Sequence, residues 1–151
     1  MSAHKPLEGV KVVELASFVA APTAGRMMAE MGADVIRVES TAGDPWRFYG
    51  ANCGLPITDE ENPLFDIYNL GKKDIQLNTK TPEGKEILFH LLDEADVFIT
   101  NNRLKSLVRS GLDYESLKDR FPKLIYGLVT GYGQTGPDVD APGYDGVAFF
   151  S

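Results

Sequence analysis

The chain has 151 residues, with 15 Lys and Arg against 22 Asp and Glu, for a formal net charge of -7. A chain this acidic is a poor partner for nucleic acid or an anionic membrane surface, and no apolar run approaches the roughly 20 residues of a membrane span. Cys53, the single cysteine, excludes an internal disulfide or a cysteine-rich zinc site and fits a reducing, cytoplasmic location.

Residues 10–15 (VKVVEL) read as a buried strand. Pro22 marks the start of a helix that runs to Met31 and stops at Gly32, with Met27, Met28 and Met31 at core spacing. Residues 34–39 (DVIRVE) form a second strand and complete a βαβ unit. The stretch 40–62, broken by Gly43, Pro45, Gly50, Gly54 and Pro56, reads as a long loop of the kind that carries function. Asn62 and Pro63 open a short helix with Leu64, Ile67 and Tyr68 on one face, and Gly71 ends it. Lys72 and Lys73 read as a solvated pair before a short strand at 74–77. Thr81 and Pro82 begin a helix whose buried face is Ile87, Leu88, Leu91 and Leu92. A strand at 97–100, a helix carrying Leu104, Leu107 and Val108, a further helix capped by Asp113 and a strand at 124–130 complete the series. Strands alternating with helices predict an α/β fold with a parallel sheet covered on both faces. Ligands of such sheets bind beyond the carboxyl ends of the strands, so the candidate segments are 16–21, 40–47, 101–103 and 131–145.

Residues 131–136 (GYGQTG) match G-x-G-x-x-G after a strand, but a dinucleotide fingerprint must open a helix that holds the pyrophosphate. Pro137 follows, and nine of the 15 residues from 131 to 145 are Gly, Pro or Asp, a loop composition. The first strand–helix turn has no glycine, and Glu39, where a ribose-binding acid would sit, is a common residue there. Cys53 has no neighbouring base and reads as a small loop residue. His4 and His90 stand alone. Arg47, in the long loop past a strand end, is equally a phosphate ligand or a surface arginine. The residues by themselves describe an α/β domain that binds something at its loops, and name no reaction.

A set of segments in fixed order carries a resemblance. They are 7–15 (LEGVKVVEL), 31–39 (MGADVIRVE), 40–47 (STAGDPWR), 69–77 (NLGKKDIQL), 79–85 (TKTPEGK), Ala95-Asp96-Val97 with Asn101, 130–136 (TGYGQTG) and Pro142-Gly143-Tyr144-Asp145. Together they resemble the N-terminal part of family III CoA-transferases, the group of formyl-CoA and carnitine CoA-transferases. Residues 16–22 (ASFVAAP) and 143–150 (GYDGVAFF) look closest to members of amino-acid fermentation that move CoA between 2-hydroxy acids and enoyl-CoA thioesters, the 2-hydroxyisocaproate and phenyllactate CoA-transferases.

The resemblance implies a Rossmann-like, doubly wound, mostly parallel sheet, and chains of roughly 400 residues with more than one domain that interlock as homodimers. Residues 1–151 are then expected to be the N-terminal part of the CoA-binding large domain, inactive alone, with the nucleophilic aspartate beyond Ser151. The implied chemistry is attack of that aspartate on an acyl-CoA to give a mixed anhydride, then return of the CoA thiolate to form an aspartyl-CoA thioester. The CoA thioester is a substrate, with no permanently bound cofactor; the second substrate is a 2-hydroxy acid, and neither nucleic acid nor membrane takes part.

The resemblance also implies CoA-contacting positions. Val19 and Ala20 match the stretch against the pantetheine arm, Leu77 to Lys80 a segment around the adenine, Asn101 to Arg103 the turn after the fourth strand, and Arg109 a phosphate-binding arginine. Ser40 stands where several members have an arginine, and Asn102 where others have an aromatic. Arg37, Arg47 or Arg103 are the candidates to compensate. Asp145 falls in a loop that the family places near the active site. Two other readings are a 2-methylacyl-CoA racemase of the same superfamily and a non-catalytic CoA- or nucleotide-binding module.

Overall fold

A computed structural model describes residues 4–58, 60–144 and 150. Among them, β1 (Lys11–Leu15), β2 (Asp34–Glu39), β3 (Lys73–Gln76), β4 (Val97–Thr100) and β5 (Ile125–Leu128) form one sheet in the order β3-β2-β1-β4-β5. Every pairing is parallel, as expected of strands separated by helices. The helices are α1 (Ala20–Glu30), α2 (Trp46–Tyr49), α3 (Pro63–Asn69), α4 (Pro82–Asp93), α5 (Leu104–Ser110) and α6 (Tyr114–Leu117). None is long and apolar enough to cross a membrane among the described residues.

The two-residue strand period sorts side chains onto two faces. On one, Val13, Leu15, Val38 and Phe98 pack with Leu88, Leu92, Leu107, Leu112, Leu117 and Phe121. On the other, Val12, Ala16, Val35 and Ile99 pack with Ala21 and Ala33. Glu14, Arg37 and Glu39 follow Val12 and Val35 in that second phase, so the same alternation carries charge onto the α1 face. Glu14 pairs with Arg37 across β1 and β2, and Arg37 with Asp74 across β2 and β3. Three charged residues therefore lie in one row across three strands.

That row explains where α1 departs from expectation. Its buried residues are Ala21, Pro22 and Gly25, while Met27 and Met31 are exposed and Met28 is only partly buried. A Cβ on Gly25 would lie 1.8 Å from Glu14 Oε2, so a small stripe rather than the methionines faces the sheet. Phe65, not Leu64, Ile67 or Tyr68, is the buried residue of α3, and Ile87 of α4 is exposed. The loop 40–62 is less irregular than its composition implies, since it holds α2 and a 3₁₀ turn at Gly50–Cys53. The caps hold: the side chains of Asn62, Thr81 and Asp113 accept from Phe65, Gly84 and Ser116 N–H.

Gly84, in the first turn of α4, abuts the chain before it: a Cβ would lie 2.2 Å from the Asn78 carbonyl oxygen. Alanine raises helix propensity by about 1 kcal/mol over glycine, yet Gly84→Ala is expected to lower stability by about 1–3 kcal/mol through overpacking against backbone; urea unfolding reads the sign. Tyr126 donates its hydroxyl to the Leu112 carbonyl at 2.9 Å, and burial, with a smaller push from Asp113, raises it from 10.0 to about 12. In that window the unfolded chain has lost a proton that the folded one keeps, so this residue's contribution to stability falls as pH rises through it. The stability advantage of the native protein over Tyr126→Phe is expected to shrink accordingly, measured by unfolding of both at each pH.

Candidate functional site

The strand order reverses beside β1: β2 and β3 lie on one side, β4 and β5 on the other. A crevice opens at such a switch point, beyond the carboxyl ends of β1 and β4. Residues 16–19 and 101–103 flank it. Side chain to backbone hydrogen bonds tie the two loops together. Asn101 Nδ2 donates to the Ser17 carbonyl at 2.8 Å, and Ser17 N–H donates back to Asn101 Oδ1 at 3.1 Å. Thr100 Oγ1 donates to the Leu15 carbonyl at 2.7 Å and accepts from Asn102 N–H at 3.2 Å.

Between them the chain is bent at Phe18, whose φ of 62° is the one positive value at a non-glycine position among the described residues. A bulky residue in the left-handed region costs roughly 1–2 kcal/mol. Its N–H donates to both carboxylate oxygens of Asp44, at 3.2 and 3.1 Å. Val19 then begins α1 without a capping side chain, which leaves first-turn amide groups unsatisfied by side chains at the crevice.

Asp44 belongs to a buried charge network on the α1 face. The Arg37 guanidinium is fully buried and meets Glu39, Asp44 at 2.5 Å, Asp74 at 3.0 Å and Glu14 at 3.4 Å. The Glu14 approach is an ion-pair separation without hydrogen-bond geometry at Nε. Arg47 bridges Glu39 at 2.5 Å and Asp74 at 2.7 Å, and its guanidinium stacks on the Phe65 ring at 3.8 Å. Lys72 Nζ donates to Glu14 at 2.8 and 3.0 Å, to the Pro22 carbonyl at 2.8 Å and to Asn69 Oδ1 at 3.0 Å. Burial pushes the Glu14 carboxyl up against the pull of Lys72, and the same burial lowers Lys72. Asp74 is also raised by burial, opposed by the two arginines. One cause covers all three: in a dry site the charged form is disfavoured.

Aromatic rings cluster around Phe18 and Trp46. Phe18 meets Trp46 at 6.3 Å and Tyr144 at 6.0 Å between centroids, and Trp46 stacks on Tyr49 at 4.7 Å. Tyr144 arrives from the glycine-rich stretch, which forms no helix through residue 144. Gly131 and Gly143 close it back to back: a Cβ on Gly131 would lie 2.5 Å from Gly143 Cα. Glu39 is engaged by two arginines and accepts the Asp44 N–H at 3.1 Å. Neither feature of a dinucleotide site is therefore present: the glycines open no helix and the acid is not free for a ribose.

The expected contact residues divide. Val19, Ala20, Asn101, Asn102 and Arg103 come together at the crevice, Arg103 exposed and the two asparagines half-buried. Ser40, Leu77 and Lys80 follow β2 and β3 at the same strand-end edge, with Ser40 and Lys80 exposed. Arg109 sits in the last turn of α5, roughly 9 Å further along its axis than Arg103. Of the two candidates to compensate for Ser40, Arg37 has no exposed surface and faces four carboxylates, whereas the Arg47 side chain is 32% exposed beside Glu39 and Asp74. Asp145 lies outside the described residues. Lys72 is a correction, its side chain 1% exposed rather than solvated. For Glu14 the sequence carries one signal, a Glu in the apolar alternation of β1 facing an Arg in that of β2; Asp44 and Phe18 carry none of their own. Two cavities of about 290 Å³ lie beside the network at Arg47 and Phe65, away from the switch point.

Comparison with known proteins adds a family. The model of CoA-transferase family III matches residues 7–150. The chain is 54% identical over 143 residues to cinnamoyl-CoA:phenyllactate CoA-transferase of Clostridium sporogenes, covering 95% of this chain and 35% of that enzyme. It is 47% identical over 145 residues to (R)-2-hydroxy-4-methylpentanoate CoA-transferase of Clostridioides difficile, covering 96% and 36%. Among solved structures, a CaiB/BaiF family protein from Brucella suis superposes with a TM-score of 0.87 at 44% identity, over 94% of this chain and 38% of that one. The chain thus spans about a third of the length of the curated relatives it matches.

The buried Lys72–Glu14 pair yields a stability test. Lys72→Met strands the Glu14 charge and is expected to cost about 3 kcal/mol. Adding Glu14→Gln is expected to restore part of that loss, because Arg37 retains three other carboxylates. A double-mutant cycle in urea measures the coupling, and additive losses would contradict this account.

Proposed function

We propose, from the premise that the chain belongs to CoA-transferase family III, that the whole protein moves CoA between an enoyl- or acyl-CoA and a 2-hydroxy acid such as 2-hydroxyisocaproate. Residues 1–151 supply the N-terminal part of its CoA-binding, Rossmann-like large domain. The observation that carries this reading is the family match across 7–150, which includes both loops of the switch-point crevice. Support for the acid comes from two relatives whose names specify phenyllactate and 2-hydroxy-4-methylpentanoate.

In this reading the crevice holds CoA. Val19 and Ala20 line the pantetheine arm, Asn101 and Asn102 offer amide donors and acceptors, and the exposed Arg103 and Arg109 are the cations for the nucleotide phosphates. Leu77 and Lys80 lie around the adenine, Ser40 stands at a nucleotide-phosphate position, and Asp145 takes a supporting role near the active site. Arg47, partly exposed, is a further candidate for a phosphate, while the buried Arg37 fixes the loop after β2 through Asp44. The nucleophile is an aspartate beyond Ser151, as the resemblance to the family implies. Its carboxylate oxygen attacks the thioester carbonyl and expels CoA thiolate, leaving an acyl anhydride. The thiolate then attacks the aspartyl carbonyl, and the donor acid departs. The 2-hydroxy acid carboxylate attacks the aspartyl-CoA carbonyl and expels CoA thiolate, giving a second anhydride; the thiolate then attacks the hydroxyacyl carbonyl, forming the 2-hydroxyacyl-CoA and releasing the aspartate carboxylate. CoA is carried as substrate, without a permanent cofactor, by a cytoplasmic homodimer.

Denaturing mass spectrometry of the full-length protein after incubation with an isocaproyl-type CoA thioester tests this. A covalent acyl or CoA mass on an aspartate is expected. The 151-residue piece alone is expected to show no transfer. Absence of any adduct on the full-length protein, or CoA transfer by the isolated piece, overturns the reading.

A further inference from the structure

We infer that Asp44 is a positioning residue for the CoA thioester, holding the β1–α1 loop in the conformation that the crevice requires; this rests on the CoA-transferase reading. Asp44 is buried at 2% exposure and does four things at once. Its carboxylate accepts the Phe18 N–H, accepts the Trp46 N–H at 2.9 Å, and pairs with Arg37 Nη2 at 2.5 Å. Its own N–H is held by Glu39 Oε2 at 3.1 Å. The acceptor is thus placed by the charge network, 26 residues along the chain from the amide it serves.

That amide belongs to the residue with φ of 62°, whose backbone sets where Val19 and the first turn of α1 enter the crevice. A phenylalanine leaves this conformation unless something outside the loop holds it. Ser17 is pinned to Asn101 on one side, and Thr23 Oγ1 to the Val19 carbonyl on the other, at 2.7 Å. Asp44 holds the bend between these pins. An Asn at 44 replaces Oδ2, which accepts from both the Phe18 N–H and Arg37, with an NH2 that faces both donor to donor. Arg37 would keep Glu14, Glu39 and Asp74, so the fold retains its ion pairs while the loop loses its restraint.

The test uses the full-length protein and CoA with an acyl-CoA substrate. Asp44→Asn is expected to raise KM for the thioester and Kd for CoA about 10-fold together, with kcat within about 2-fold, the pattern of lost uniform binding. In Phe18→Gly, glycine adopts a positive φ freely, so adding Asp44→Asn there is expected to raise KM by about 3-fold or less, a non-additivity that a general loss of stability does not produce. If Asp44→Asn does not fold, Asp44→Glu keeps the charge beside Arg37 but moves it by one methylene, and the same rise in KM at an unchanged Tm is expected. Unchanged KM and Kd in a folded Asp44 variant, or equal increments with and without Phe18→Gly, overturn the inference. A wild-type protein that binds no CoA overturns the CoA-transferase reading itself, and this inference with it.

Discussion

A single guanidinium organises the α1 side of this molecule. Arg37 enters the sheet in the strand phase that also carries Val12, Val35, Glu14 and Glu39, and four carboxylates converge on it from β1, β2, β3 and the loop after β2. Charge in a dry region is tolerated only when it is fully paired, so each partner must be delivered to its place. Glu14 is set by register, Asp74 by the register of the next strand, and Asp44 by the turn that brings its N–H to Glu39. Lys72 completes the balance at Glu14 and reaches the Pro22 carbonyl, which ties α1 to the sheet through charge as well as packing.

The network has consequences away from itself. Gly25 exists because Glu14 lies directly beneath it, and α1 consequently presents small residues inward and methionines outward. The crevice depends on it as well. A dinucleotide fold makes its first strand–helix turn with glycines. Here the turn has none, and a phenylalanine takes the left-handed conformation with its amide held by Asp44. The bend is imposed from outside the loop rather than permitted from within it.

Across the crevice, the second wall is fixed differently. Asn101 and Thr100 bond the loop after β4 to the backbone at the end of β1, so the two central strands share one rim. Aromatic contacts from Trp46 and Tyr144 to Phe18 bring the long loop and the glycine-rich loop to that rim. Arg103, at the end of the loop after β4, lies outside the buried network and is exposed.

Periodicity and caps are local, and these the sequence determined. The strands, the helices, their parallel arrangement and the loop nature of residues 131–144 all follow from neighbours a few residues apart, and the ordered motifs named the family. Which charges are buried was decided by tertiary structure. Arg37 and Arg47 stand as candidate phosphate ligands in the sequence, and Lys72 as a solvated lysine, because their carboxylate partners are brought in by strand register and turns distant in the chain. The same holds for Phe65 replacing Ile67 on the buried side of α3, where the guanidinium of Arg47 selects an aromatic face. Phe18 carries no local mark of its conformation, since the group that stabilises it lies 26 residues away. Pattern along the chain reports which surface is apolar; it does not report which polar groups will meet, and in this protein those meetings shape the crevice.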